Sequence, residues 1–558
     1  MPEVRDTEDY RRVAALPRRS LNEADAALWA RVVTDECRRP GSAAALRPWQ
    51  GQALAEAAAN GGAFLALGVG HGKTLISYLL PRILESRASV LIVPAALRGK
   101  TFADFTAYQA EWLPPPTPAR VTTLQELSPE RGAHLLEQLA PDLIVVDECD
   151  ELANPKSSAA RRIDRYISAH PETRVVLMTG TPSRKSILNY WHLLCWALRE
   201  RAPVPMAQGE ALLWALALDE APGRAPVRVG LGPLGSSRTT ARAWFRDRLV
   251  QTPGVVVVDG DSCAAPITVR TVTALEDPIL DAAFASFLET LETPEGIPVS
   301  DPLSRWRLDG QLGCGLYLRW NPPPPTPWRD ARRAVAKFVR DTIAASTNTA
   351  RPLDTEAQVL RRHAGHPVVC AWQEIRGTFE PSTDAVWLSD SVIRSVRAWL
   401  DAEPTPGIVW CGGVEFATAL SVRARLPYYG REGKDASGRG LHDADAKRSL
   451  IASWHANKRG FNLQAWRRQL IVHPPQSAKY LEQIFGRSHR AGQDQRVVVT
   501  VLATSGGTLD SFDAACGEAD FARATVGMTQ KLLRASIERV PPPSTKSNAL
   551  RWARKDRH

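Results

Sequence analysis

No uninterrupted apolar run in this 558-residue sequence approaches membrane-spanning length, so no segment reads as a transmembrane helix. The opening MPEVRDTEDYRR is charged and lacks the apolar core of a secretory signal, and the expectation is a soluble, intracellular protein. Cysteine pairs are missing too. The eight cysteines are scattered singly, with no C-x-x-C and no Cys/His cluster at metal spacing. They read as reduced core residues, not as a disulfide frame or a zinc site. No internal repeat is evident. Charge is not balanced: the formal net charge is +10, an excess that favours a polyanionic partner but that an arginine-rich composition also produces. The length allows three or four domains with real cores.

What is present centres on residues 61–74, GGAFLALGVGHGKT. A buried-strand run (AFLAL) breaks into a glycine-rich turn and then into the helix-like TLISYLL. Strand, glycine loop, Gly-Lys-Thr and helix is the order in which a backbone cradles phosphate. Gly70 and Gly72 let amides approach the anion, Lys73 supplies charge, and Thr74 offers a hydroxyl to Mg²⁺. The strict pattern wants glycine where Leu67 stands, with Gly68 following it. The plain alternative is a glycine-rich turn with a lysine beside it. Ahead of the loop, Gln50 in LRPWQ carries an amide donor and acceptor side by side, which suits an adenine edge.

Strand signals follow at residues 88–97, 119–124, 141–152 and 173–182. Short apolar strands alternating with helical stretches, with polar residues at their C-terminal ends, read as a doubly wound parallel sheet. The third ends in Asp147-Glu148. One carboxylate there can hold Mg²⁺ and its neighbour can orient and deprotonate an attacking water, although an acidic surface turn would look alike. Downstream, Arg487 and Arg490 lie three apart in QIFGRSHRAGQ, a spacing that places both on one helix face, within reach of a γ-phosphate presented from elsewhere.

The ordered set Gly-x-Gly-Lys-Thr, Asp-Glu-Cys-Asp, Thr-Gly-Thr-Pro (residues 179–182) and Gln-x-x-Gly-Arg-x-His-Arg-x-Gly-Gln (residues 483–493) resembles superfamily 2 helicases and translocases of the Swi/Snf-like branch. SWHANKRGFNLQAW, from Ser453, is similar to that family's motif V, with Asn457 and Lys458 in place of glycines. Asp150 stands where the branch usually carries histidine. The polyproline-containing insertion and short second lobe look like those of a phage-encoded member.

The resemblance implies an α/β protein of two RecA-like lobes with an insertion between them. The expected divisions are an N-terminal helical extension (1–40), lobe 1 (41–200), an insertion of unassigned role (201–385), lobe 2 (386–515) and a C-terminal helix with a basic tail (516–558). ATP and Mg²⁺ would sit between the lobes. Gln50, Gly70, Gly72, Lys73 and Thr74 would bind nucleotide, Thr74 and Asp147 would hold the metal, and Asp147, Glu148, Gln483, Arg487 and Arg490 would act in catalysis. Thr179, Thr181 and Gly460 would couple hydrolysis to movement. Pro94, Lys100, Ser453 and Asn462 would touch nucleic acid. The implied activity is DNA-stimulated ATP hydrolysis with translocation on duplex DNA. An RNA helicase, the motor subunit of a restriction-type nuclease and a non-catalytic nucleic-acid-binding module are the alternatives. The arginine-rich helical stretch WRDARRAVAKFVRDTIAAS (residues 328–346) reads either as a solvated basic helix with core tryptophans or as a nucleic-acid contact.

Overall fold

A computed structural model describes residues 3–19, 23–182, 185–219, 229–260, 263–299, 301–346, 349, 352–457 and 460–539. Lys458, residues 222–228 of the Gly/Pro/Ser-rich segment and the basic tail from residue 540 lie outside the described residues. The apolar runs become strands: β1 (Ala63–Leu67), β2 (Ser89–Val93), β3 (Arg120–Thr123), β4 (Leu143–Asp147), β5 (Arg174–Thr179) and β6 (Val255–Val258). They form one parallel sheet in the order β3-β2-β4-β5-β1-β6. Every residue of β1 and β2 is buried, which is why these strands are apolar throughout and do not alternate. The pleat still sorts the residues. Phe64, Ala66, Ile92 and Val146 enter the core on one face, while Leu65, Leu67, Leu91 and Val145 enter the core on the other.

The second sheet opens with β7 (Ile267–Thr273). The chain then makes an antiparallel pair, β8 (Leu316–Trp320) with β9 (Thr383–Trp387), before β10 (Gly407–Cys411), β11 (Tyr428–Tyr429), β12 (Leu450–Ser453), β13 (Arg468–Ile471), β14 (Val497–Ala503) and β15 (Ser536–Glu538). Its order is β11-β12-β10-β13-β14-β7-β15, again all parallel. The protein is thus an α/β protein with two all-parallel sheets of six and seven strands and a small antiparallel insertion.

The lobes do not follow the expected boundaries. Residues 201–385 are not one insertion: β6 completes the first sheet, and β7 lies inside the second, between β14 and β15. The second sheet therefore starts well before residue 386. β15, from the expected C-terminal extension, pairs along β7. Both β6 (VVVV) and β7 (ITVRTVT) are β-branched runs, at home in a sheet wherever a register is open to them. What remains of the insertion is β8, β9 and the helices between them. There Trp328 and Trp372 pack edge to face at 5.5 Å within a small core, while Arg333 of the same long helix, Thr326–Ser346, points to solvent.

Contacts far from the sheets help tie the halves together. The helix Gly506–Val526 follows β14 yet buries Phe521 and Val526 in the first lobe's core, where the Arg242 guanidinium lies 5.1 Å over the Phe521 ring. Asp354, between β8 and β9 in the chain, is ion-paired with Arg161, Arg162 and Arg165 of the first-lobe helix Ser158–Ala169. Among the described residues no helix is long and apolar enough to cross a membrane.

Candidate functional site

β1 runs into a loop in which Gly70 and Gly72 adopt φ of 90° and 78°, the left-handed region that costs glycine nothing. Gly72 then N-caps the helix Lys73–Ile83, and no side chain caps it. The first-turn amides, with the positive end of the helix dipole, make this helix start suited to an anion. Lys73 Nζ donates to the Leu67 and Gly68 carbonyls at 3.0 and 3.3 Å, so the ammonium curls over its own loop. β4 delivers Asp147 and Glu148. Because β5 sits between β1 and β4, the carboxylates stand across one strand from the glycine loop. Glu148 is strained, with φ 55° and ψ 49°, and its amide donates to Asp147 Oδ1 at 3.0 Å. A left-handed non-glycine residue costs on the order of 1 kcal/mol and persists where the surroundings hold it.

The second lobe supplies the facing wall. Gln483 and Arg487 lie on the helix Ala478–Ser488. Arg487 Nε donates to the Gln483 carbonyl at 2.9 Å and Nη1 to the Phe461 carbonyl at 3.0 Å. Arg490 donates to Asn462 Oδ1 and, at 3.5 Å, to the same Phe461 carbonyl. The expectation that both arginines share one helix face is corrected here. The helix ends at Ser488, and His489, whose Nε2 is 2.6 Å from the Ala265 carbonyl, leads the chain out of it. The two guanidinium groups are gathered instead by the backbone of the motif V segment. Burial pushes the Arg490 guanidinium down from its ordinary value.

These residues line one cleft of about 260 Å³ between the lobes. Gly70, Gly72, Lys73, Thr74, Asp147 and Glu148 face Gly460, Gln483, Arg487 and Arg490 across it. Gln483 Oε1 is buried without a protein partner. Two glycines set the spacing. A Cβ on Gly486 would lie 3.1 Å from Val69 Cγ1, and one on Gly460, at φ +83°, would lie 3.1 Å from Leu97 Cδ2.

Other expected residues fall elsewhere. Gln50 is outside the cleft lining and buried behind the loop. Its Oε1 accepts from the Arg47 amide at 2.9 Å and its Nε2 donates to the His71 carbonyl at 3.4 Å, so both ends of the amide are engaged within the protein. Thr179 and Thr181 are buried beneath the cleft. Pro94 is buried rather than presented as a grip, and Lys100 lines the cleft itself, ion-paired with Asp104. Ser453 ends β12 and is buried, and Asn462 serves Arg490. Asn457, in a glycine's place, is fully buried. Its amide donates to the Tyr429 and Ser453 carbonyls at 2.7 and 3.1 Å, tying the preceding loop to β12.

Sequence reasoning missed two groups. Leu97, Thr101, Asp104 and Tyr108 also line the cleft, on and just before the helix Arg98–Tyr108. Their spacing of 4, 3 and 4 residues is the one-face signal that could have found them. The second is Lys479, which is buried and ion-paired with Asp150 across the lobes. Asp150 also accepts from Thr179 Oγ1 at 2.9 Å and Thr181 Oγ1 at 3.3 Å. The carboxylate in the usual histidine position is thus matched by an ammonium from the other lobe.

The donor set fits a polyphosphate held with a divalent cation. Lys73, Lys100, Arg487 and Arg490 meet Asp104, Asp147 and Glu148 at the cleft, and the glycine loop turns amides toward it. Thr74 and Asp147 are hard oxygen donors of the kind Mg²⁺ takes in ones and twos beside phosphate and water. Among the described residues no group of three or more His, Cys, Asp or Glu could hold a metal ion alone. No protein-family model matches the chain, and a search of curated proteins finds no match. The fold itself, two parallel α/β sheets, is consistent with a tandem RecA-like, P-loop protein.

Proposed function

We propose that the protein is a nucleic-acid-stimulated ATPase of the superfamily 2, Swi/Snf-like kind, converting hydrolysis between its lobes into movement along duplex DNA. The observation that carries this reading is the composition of the cleft: a phosphate loop and a carboxylate pair from one lobe face two arginines from the other. ATP bound with Mg²⁺ supplies the phosphoryl group and the charge that the cleft neutralises. Lys73 and the loop amides bind the phosphates, Thr74 and Asp147 hold the ion, and Glu148 orients and takes a proton from water. Arg487 and Arg490, aimed by Phe461 and Asn462, stabilise developing negative charge. Because the site is split, it is complete only with the lobes together, and hydrolysis can therefore drive opening and closing. The Asp150–Lys479 pair and the two threonine hydroxyls connect that closure to the carboxylate pair. A net charge of +10 suits a phosphate-lined track.

The test is ATP turnover with and without duplex DNA for the wild type, Lys73→Ala and Glu148→Gln. Stimulation by duplex in the wild type and near-background turnover in both variants are expected. Turnover that survives Lys73→Ala would move the ATP site elsewhere, and stronger stimulation by RNA than by DNA would overturn the choice of track.

A further inference from the structure

A second pocket, of about 190 Å³, opens in the second lobe and shares no residue with the inter-lobe cleft. It lies at the C-terminal ends of three adjacent strands: Gly412 and Gly413 follow β10, Trp454 and His455 follow β12, and His473 follows β13. The chain leaves β10 for β11 and then β12 on one side and reaches β13 on the other, so this is the point where strand order reverses. Crevices at such points are where open parallel sheets bind ligands.

The walls are aromatic. Trp454 and His455 stack at 3.7 Å, Phe416 closes the floor, and Trp306, from the helix Pro302–Leu312, stands 5.5 Å from His473. Two of its lining residues also carry polar atoms with no protein partner, packed away from the open space. Both ring nitrogens of His473 (7% exposed) and Nε1 of Trp454 (2% exposed) are buried and unbonded. Two glycines let the backbone close over these nitrogens, since a Cβ on Gly310 would lie 2.7 Å from His473 Nε2 and one on Gly412 would lie 3.0 Å from Trp454 Nε1. Arg307 stands at the rim.

Flat aromatic walls, an arginine at the rim and room for one ring system describe a receptor for a heterocyclic base. We infer that this pocket receives a single nucleobase, unstacked from the strand that the second lobe grips, with Arg307 beside its phosphate. The inference rests on the nucleic-acid reading above and adds a base contact to a grip otherwise made through phosphates. A stacked base contributes about 1–3 kcal/mol, without regard to sequence, because every base has a π face.

The test uses full-length protein with a duplex carrying 5-iodouracil, photocross-linked and mapped by mass spectrometry, with free 5-iodouridine as a second probe. Cross-links on Trp306, Trp454 or His455 are expected. Gly413→Leu should abolish them, because φ there is −92° and a Cβ meets nothing within 4 Å, so a leucine fits the backbone and blocks the pocket. Trp306→Ala should weaken duplex binding about fivefold or more, with circular dichroism and melting confirming that both variants fold. Cross-links that map elsewhere, or that persist in Gly413→Leu, would overturn the pocket while leaving duplex binding and stimulated turnover intact. Equal labelling by free 5-iodouridine would make the ligand a small nucleoside instead of the strand. Failure to bind duplex at all would overturn the functional reading first, and this one with it.

Discussion

Lys479 is the residue whose replacement tests the inter-lobe connection most sharply. It is 1% exposed, it pairs with Asp150, itself 3% exposed, and its Nζ lies 3.7 Å from Glu151 Oε1. Lys479→Met keeps the length of the side chain and removes the charge, leaving the Asp150 carboxylate in the interface between lobes. Breaking a buried pair on one side costs about 3–5 kcal/mol. Thr179 and Thr181 continue to donate to Asp150, which places the expected loss near the lower end, about 3 kcal/mol. Asp150→Asn keeps one oxygen to accept from a threonine, puts an amide donor in place of the other, and leaves Lys479 with Glu151, so its loss should be smaller. The double variant carries neither charge and should recover about 2 kcal/mol relative to the sum of the singles. Urea unfolding of all four proteins gives the cycle, and ATP turnover gives its functional counterpart. Additive losses in both assays would show that the two residues act independently and would refute the coupling assigned to them.

Burial pushes the His473 imidazole down from 6.5 to about 4. The unfolded chain binds this proton more readily, so its contribution is fully present above pH 6.5 and is lost as pH falls toward 4, on the order of 3 kcal/mol in all. Asp219, whose carboxyl burial raises to about 6, works in the opposite direction, so the comparison is the stability difference between wild type and His473→Gln across that window. A flat difference would contradict the assignment. Asp354→Ala should free the helices between β8 and β9 from the first lobe, because Arg161, Arg162 and Arg165 all lose their shared carboxylate. Limited proteolysis within residues 326–375 should quicken several-fold, and an unchanged rate would place the anchor elsewhere.

The strands of the first lobe were legible because each is a continuous apolar run that ends in a chemically marked turn. β4 and β5 carry their acidic and threonine residues at the edge where a parallel sheet presents them. β6 and β7 were not assignable by the same reasoning. VVVV at residues 255–258 has the residues of a strand, but nothing local says that it pairs with β1, nor that ITVRTVT pairs with β14 more than two hundred residues on. Non-local register is a property of the assembled sheet. Gln50 shows a bonding role that its position did not announce. Its position suggested an adenine contact, while its amide is taken by its own helix start and by the glycine loop. Lys479 carried no signal at all, since a lysine in the first turn of a helix is ordinarily solvated.

The departures from the family-like pattern gain a physical meaning when the two lobes are considered together. Asp150 in a histidine's position would leave a buried negative charge, and a buried charge needs a partner. That partner, Lys479, is on the helix that also carries Gln483 and Arg487. A carboxylate on one lobe and an ammonium on the other thus link the carboxylate pair to the arginine helix with a charged contact, whose strength depends on how completely the lobes exclude water. The glycines at 460 and 486 let the backbones approach closely enough for that exclusion. Adding a methyl group at Gly486 would press on Val69, in the phosphate loop itself, and so would open the cleft from its centre. The constraint on the glycine loop, then, comes not only from the turn it makes into its own helix but from a helix over four hundred residues away that must lie against it.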